Sequence, residues 1–185
     1  MIDLNLILAT IYFLAPAYFA NMTPVIIMRL GLWPDLNRPI DGGHSLWGQR
    51  LLGSGKTWRG LISGFLAALI ICGIQSYLQW SGWLESWTMI DYQKNSFFIV
   101  AILSAIGALG GDVIKSFFKR RFKINSGQPW PIFDQVDFIL GYLLIISLIN
   151  PISAWLIWLS LIITLILHPI TNIAGYWLKI KKVWW

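Results

Sequence analysis

The chain has 185 residues, of which 57% are hydrophobic and 12% charged, against roughly 25% charged in an ordinary soluble domain. That balance excludes a soluble globular enzyme and predicts an all-α integral membrane protein that crosses the bilayer several times. A net charge of +6 would suit nucleic acid if it covered one surface, but its placement along the chain argues for membrane topology and no nucleic-acid partner.

A helix needs about 20 apolar residues to cross the bilayer core. The first such run covers about 4–30 and holds Pro16, Asn21 and Pro24. Prolines are tolerated in a span when neighbours satisfy the carbonyls they free. No basic segment precedes it, so no cleavable signal peptide is expected. A polar segment, 31–59, follows, rich in Gly, Pro, Asn and charge. The second span, 60–80, carries Gly64, Ala67, Ala68 and Gly73, which suit close helix packing. Its Cys72 is read as a small packing residue. After a short loop, the third span covers 96–122 with its charged end, and Ala101, Ala105 and Ala108 form a small-residue face. A fourth helix is expected over 133–149. Asn150 and Pro151 then break the apolar run, because proline lacks an N–H and disfavours helix at the preceding residue. The fifth span is 152–177, and the basic tail KIKKVWW closes the chain.

Five spans with the N-terminus outside place two long loops and the tail on the cytoplasmic face of the cell membrane. The inside segments, 29–59, 115–132 and the tail, hold thirteen of the fourteen Lys and Arg residues, leaving only Lys94 outside, as the positive-inside rule requires. The twelve tryptophans suit belts at the two interfaces. With no internal repeat, 1–185 reads as one membrane-embedded domain.

The chemistry concentrates in 110–138. This stretch holds Asp112, Asp134 and Asp137 together with Lys115, Lys119, Arg120, Arg121 and Lys123, between long apolar runs. Ionisable groups at the ends of spans mark functional sites with partners. Three carboxylates facing this many cations point to an anionic substrate bridged by Mg²⁺, which is usually held by one or two carboxylates and by substrate phosphates. On a continuing helix Asp112, Ser116, Lys119 and Lys123 fall at i, i+4, i+7 and i+11, on one face suited to a polyphosphate and its metal. Asp134 and Asp137 sit at i and i+3 behind Pro131, in the first turn of a helix. One acid there complements the helix dipole. Two on one face, opposite Asp112, look like a metal site able to clamp the oxygens of an in-line displacement. The catalytic candidates are therefore Asp112, Asp134, Asp137 and Lys119.

In the first loop, GSGKTWRG (53–60) is not a P-loop, because Arg50 stands where the motif needs glycine and no strand precedes it. Its content is simpler. Glycines such as Gly55 let backbone approach a phosphate, with Lys56, Thr57 and Arg59 beside it. Upstream, Asn37, Arg38 and His44 could read a base or sugar. His168 and Asn172, at i and i+4 in the last span, either face the site or bond to neighbouring helices.

PAYFANMTP (16–24), GSGKTWRG, GGDVIKSFFKRR (110–121), PIFDQVDF (131–138) and the run from HPITN to Tyr176 together resemble the CDP-archaeol synthases. These membrane cytidylyltransferases join CTP to an unsaturated archaeal ether-lipid phosphate and release pyrophosphate. The central stretch is also similar to bacterial phosphatidate cytidylyltransferases: Asp134 and Asp137 fill their D-x-x-D element, and Asp112, Ser116 and Lys119 match their helix element. Their Gly-His-Gly-Gly run is absent and PWPIF stands in its place, which favours the archaeol branch. The resemblance implies Mg²⁺ on Asp112, Asp134 and Asp137. It implies phosphates of CTP or lipid on Lys56, Arg59, Lys115, Lys119, Arg120 and Arg121, with Asn21 approaching from the first span. The lipid phosphate would attack the α-phosphorus of CTP while its tails lie between spans. The alternatives are a phosphatidate cytidylyltransferase making CDP-diacylglycerol and a small transporter or scaffold that binds anionic lipid. A scaffold needs the lysines but not three carboxylates.

Overall fold

A computed structural model describes residues 3–181 and Val183; Lys182 and the last two tryptophans of the basic tail lie outside the described residues. Five long helices carry the chain: α1 (Leu4–Arg29), α2 (Trp58–Trp80), α3 (Phe97–Arg121), α4 (Phe133–Ile146) and α5 (Ala154–Trp177). Four of them, α1, α2, α3 and α5, are long and apolar enough to cross a membrane. Exposed Trp58 and Trp80 lie 22 positions apart at the ends of α2, and exposed Trp155 and Trp177 do the same on α5. At 1.5 Å per residue each pair spans about 33 Å, close to the roughly 30 Å thickness of the bilayer's hydrocarbon core. The expected fourth span is shorter than the sequence suggests, because the helix stops at Ile146 and the chain turns through 147–153 before Ser153 caps α5. Fourteen residues of α4 reach about 21 Å.

Asp3 caps α1 by accepting from the Leu6 N–H at 2.7 Å. The helix then runs unbroken through Pro16 and Pro24. Pro16 has no N–H for the Tyr12 carbonyl. Gln75 of α2 supplies the missing donor, its Nε2 lying 2.5 Å from Tyr12 O. One residue on, the Phe13 carbonyl accepts from Tyr142 Oη of α4 at 2.7 Å. The proline thus stitches α1 to α2, and the neighbouring carbonyl ties α1 to α4. Tyr18 Oη donates to Thr164 Oγ1 of α5 at 2.8 Å, and its ring meets Phe138 edge-on at 5.4 Å. Of the small-residue faces, Gly64, Ala67 and Ala68 of α2 and Ala101, Ala105 and Ala108 of α3 are buried, as is Cys72, while Gly73 is only half-buried.

The crossing that matters most is that of α3 and α4. Gly107 and Gly111, four apart on α3, meet Gly141 of α4 with backbone on backbone. A Cβ at Gly107 would stand 2.6 Å from the Gly141 carbonyl, and Gly111 and Gly141 are closer still to the facing main chain. Small residues at this spacing allow the tightest approach of helices in lipid. One turn further along, that approach brings the charged end of α3 against the first turn of α4.

The first loop is more ordered than its composition suggests. It contains a two-stranded hairpin, β1 (Ser45–Leu46) and β2 (Gln49–Arg50), a small exception to the all-α expectation. Asp41 organises it. One carboxylate oxygen accepts from the Gly43 N–H at 3.0 Å and Arg50 Nη2 at 2.8 Å, the other from the N–H groups of Leu52 and Gly53 at 3.1 and 3.3 Å. Burial pushes the Asp41 carboxyl up, but these donors outweigh it and hold it below the usual carboxylate range.

Candidate active site

Thr57 Oγ1 caps α2 by accepting from the Gly60 N–H at 3.2 Å, which fixes the GSGKT segment at a helix N-terminus. Lys56, just before that cap, points to α3 and forms an ion pair with Asp112. Behind it Arg59 is buried, donating to Asn37 Oδ1 at 3.0 Å and to the Leu32 carbonyl at 3.3 Å, so it ties the start of the loop to its end.

The centre of the site is Lys115. Its Nζ lies 3.1 Å from Asp112 Oδ1, 2.9 Å from Asp134 Oδ1 and 2.8 Å from Asp137 Oδ2. The three carboxylates picked out in the sequence therefore converge on one point, from two helices pressed together by the Gly107–Gly111–Gly141 crossing. Lys119 Nζ sits on the far side of Asp134, 3.1 Å from both its oxygens and 2.6 Å from the Gln128 carbonyl. The Trp130 N–H also donates to Asp134. Asp137 differs from its neighbours. It is buried and ion-paired to Lys115, but neither oxygen accepts a well-aligned hydrogen bond.

A buried carboxylate with unsatisfied oxygens is expensive. Hard oxygen donors of this kind, beside two further carboxylates, fit a divalent cation in donor type. Among the described residues no three of His, Cys, Asp or Glu stand together as a ready ligand cluster, because the Lys115 ammonium occupies the point on which they converge.

A cavity of about 410 Å³ opens over this cluster, between the first loop, α1, α3 and α5. Asn21, Asn37, Gly55, Lys56, Thr57 and Arg59 line it as the sequence suggested. Asp112, Lys115, Lys119 and Asp134 form its floor, with Asp137 behind Lys115. His168 and Asn172 face this cavity, 3.3 Å apart (Nδ1 to Nδ2), which decides between the two readings of that pair.

Four residues expected at the phosphates stand elsewhere. Ser116 is buried away from the cavity, and Lys115, at i+3 from Asp112, takes the place expected of it. Arg120 is buried beside Gly53, where a Cβ would come within 3.7 Å of its guanidinium carbon. Arg121 brackets the hairpin to α3, donating to the Leu46 carbonyl at 2.5 Å and the Arg50 carbonyl at 2.7 Å with its guanidinium 4.7 Å from the Phe117 ring. Lys123 is beyond the end of α3, exposed and left-handed at φ 60°, so it shares no helical face with Asp112.

Two residues of the cavity wall carry no signal in the sequence. Gln128 joins it because the α3–α4 connection folds back, and Lys181 because the chain reverses after α5. Lys179 is left-handed at φ 57°, its carbonyl accepts from Arg29 Nε at 2.8 Å, and Lys181 Nζ then reaches Asn172 Oδ1 at 2.9 Å.

Comparison with known proteins decides what this arrangement belongs to. The CarS-like family, CDP-archaeol synthase, matches residues 3–185. The chain belongs to this family. It is 38% identical to the CDP-archaeol synthase of Methanococcus maripaludis strain C5 over 183 residues, covering 98% of each chain. The CDP-archaeol synthase of Methanocaldococcus jannaschii is 34% identical, again over 98% of both chains. A solved intramembrane enzyme of archaeal membrane-lipid biosynthesis is 35% identical and superposes with a TM-score of 0.72, over 90% of this chain and 94% of its own. Family and fold therefore agree with the reading from the residues. The small transporter or scaffold has no support here.

Proposed function

We propose that this protein is a CTP-dependent cytidylyltransferase that transfers CMP to an archaeal-type lipid phosphate, giving a CDP-activated lipid and pyrophosphate for phospholipid synthesis. The convergence of Asp112, Asp134 and Asp137 with Lys56, Lys115 and Lys119 at one cavity wall carries this reading. Lys56, Lys119 and the N-terminus of α2, with its Gly55 and Thr57 backbone, hold the phosphates of CTP. Asn37 and Arg59, hydrogen-bonded to each other in the same cavity wall, would contact the nucleoside or the phosphates of CTP. Asp112, Asp134 and Asp137 would hold Mg²⁺, which when bound neutralises charge on the triphosphate and polarises the α-phosphorus. An oxygen of the lipid phosphate attacks that phosphorus and forms the new P–O bond. The bond from the α-phosphorus to its bridging oxygen breaks, and pyrophosphate leaves. No protein nucleophile is needed, since positioning and electrostatic stabilisation supply the catalysis.

The site faces the cytoplasm in this reading, with the N-terminus outside and one catalytic domain in the cell membrane. Support comes from the gathering of thirteen of fourteen Lys and Arg residues in the segments on that side. For α4 to make the fifth crossing it must use the turns that follow it, in which the Ile149 and Asn150 N–H groups still donate to the Ile146 carbonyl. Helix and turns together, 133–150, reach about 27 Å.

The deciding experiment is pyrophosphate release by the purified protein with CTP and Mg²⁺, comparing a digeranylgeranylglyceryl phosphate with phosphatidate. Release that favours the ether lipid is expected. Preference for phosphatidate would move the assignment to CDP-diacylglycerol synthesis, and silence with both would overturn it.

A further inference from the structure

The main cavity has a neighbour. A smaller one, about 130 Å³, lies between α1 and α5 and shares Asn21, Val25, His168, Asn172 and Lys181 with it. Its remaining wall is mostly apolar, with Tyr18, Met22 and Ile26 from α1, Phe138 from α4 and Ile180 from the tail. Met22 and Ile26 are partly exposed on the outer surface of α1, among the side chains that face hydrocarbon if the helix spans the bilayer. The two spaces therefore form one passage that is polar at the carboxylate cluster and apolar towards the lipid.

We infer that the α1–α5 passage is the lipid-phosphate subsite, with Lys181 and Asn172 receiving the phosphate and His168 beside them. This rests on the cytidylyltransferase reading and deepens it. The occupant must be amphipathic, since a free phosphate has no use for the apolar half and a hydrocarbon has none for the cation. Lys181 sits at the junction, and Asn172 orients it from α5. Lys56 and Lys119 are engaged by Asp112 and Asp134, whereas Lys181 is held by Asn172 of α5. A phosphate at Lys181 would enter the same cavity as CTP phosphates held by Lys56 and Lys119, which brings the two reacting groups together. The tail is folded back by the Ile180 and Lys181 N–H groups donating to the Gly175 carbonyl, and Arg29 of α1 holds the Lys179 carbonyl, so α1 and the tail close the subsite together.

The test uses the full chain in nanodiscs. Lys181→Gln is expected to raise KM for the lipid phosphate at least about tenfold while KM for CTP stays within about twofold, a loss of roughly 1.4 kcal/mol confined to one substrate. Lys181→Arg should recover most of it. A lipid phosphate carrying a photoreactive group near the head of its chain should label peptides of α1 and α5, in competition with unlabelled lipid phosphate but not with glycerol phosphate. Labelling centred on the outer surface of α3 or α4, or a Lys181→Gln variant with unchanged lipid kinetics, would overturn the subsite while leaving CTP binding intact. Failure of the wild-type protein to bind CTP in calorimetry would instead overturn the reading beneath it.

Discussion

Two buried aspartates, Asp41 and Asp137, divide this protein into a part built for stability and a part built for chemistry. Their side chains are 1% and 6% exposed. Asp41 accepts four hydrogen bonds and organises the first loop, whereas Asp137 accepts none and faces one shared ammonium group. A carboxylate saturated by its own fold has no capacity left for a ligand. One left unsatisfied at a helix crossing costs stability and is poised for a cation or a substrate. Burial alone thus says little about function in this chain; the count of satisfied lone pairs does.

The sharpest way to break this contrast is to neutralise each acid. Asp137→Asn, and likewise Asp134→Asn, should lower kcat by about 10²–10³-fold in the pyrophosphate assay, as expected for loss of a preorganised electrostatic group. The thermal midpoint in detergent should hold or rise for Asp137→Asn, because one of three carboxylates competing for a single ammonium group is removed. A folded Asp137→Asn variant with full activity would make this residue structural after all.

Asp41→Ala should do the opposite. It strands the Leu52 and Gly53 N–H groups and the Arg50 guanidinium, at a cost of about 1–3 kcal/mol local to the loop. Faster proteolysis within 41–53 and a raised KM for CTP are expected, with kcat at saturation little changed. The same loop should loosen in acid. Its Asp41 carboxyl is held below the ordinary value, so the stabilisation is complete above about pH 4 and is lost as pH falls through the lowered pKa. Proteolysis that ignores both the substitution and the acid would remove Asp41 from this role.

Lys56→Ala carries the smallest effect, about five- to tenfold in KM for CTP, because it belongs to both parts: the loop supplies it and Asp112 of α3 receives it. An unchanged KM for CTP would detach the first loop from the site.

Much of this was readable in the chain. The lengths of the apolar runs follow from bilayer thickness, a local property, and α1, α2, α3 and α5 lie close to where those runs place them. Asp134 and Asp137 were legible as a pair because three residues of helix put them on one face. Helical spacing also pointed to Ser116, and there it failed, since the longer Lys115 reaches the carboxylates while Ser116 packs away. The family resemblance implies a phosphate ligand at Arg121, but only the folded hairpin shows its guanidinium spent on two carbonyls.

By itself, then, the sequence determined the membrane class, the family, the polar segments that carry the chemistry and the three aspartates. The tertiary structure alone decided that Lys115 stands between those aspartates, that Asp41 and Arg121 serve the loop, and that Lys181 returns to the cavity. The reason is physical: hydrophobicity and helical periodicity are set by near neighbours in the chain. Which charge meets which depends on the α3–α4 glycine crossing and on contacts such as Arg29 with Lys179, made across 150 positions.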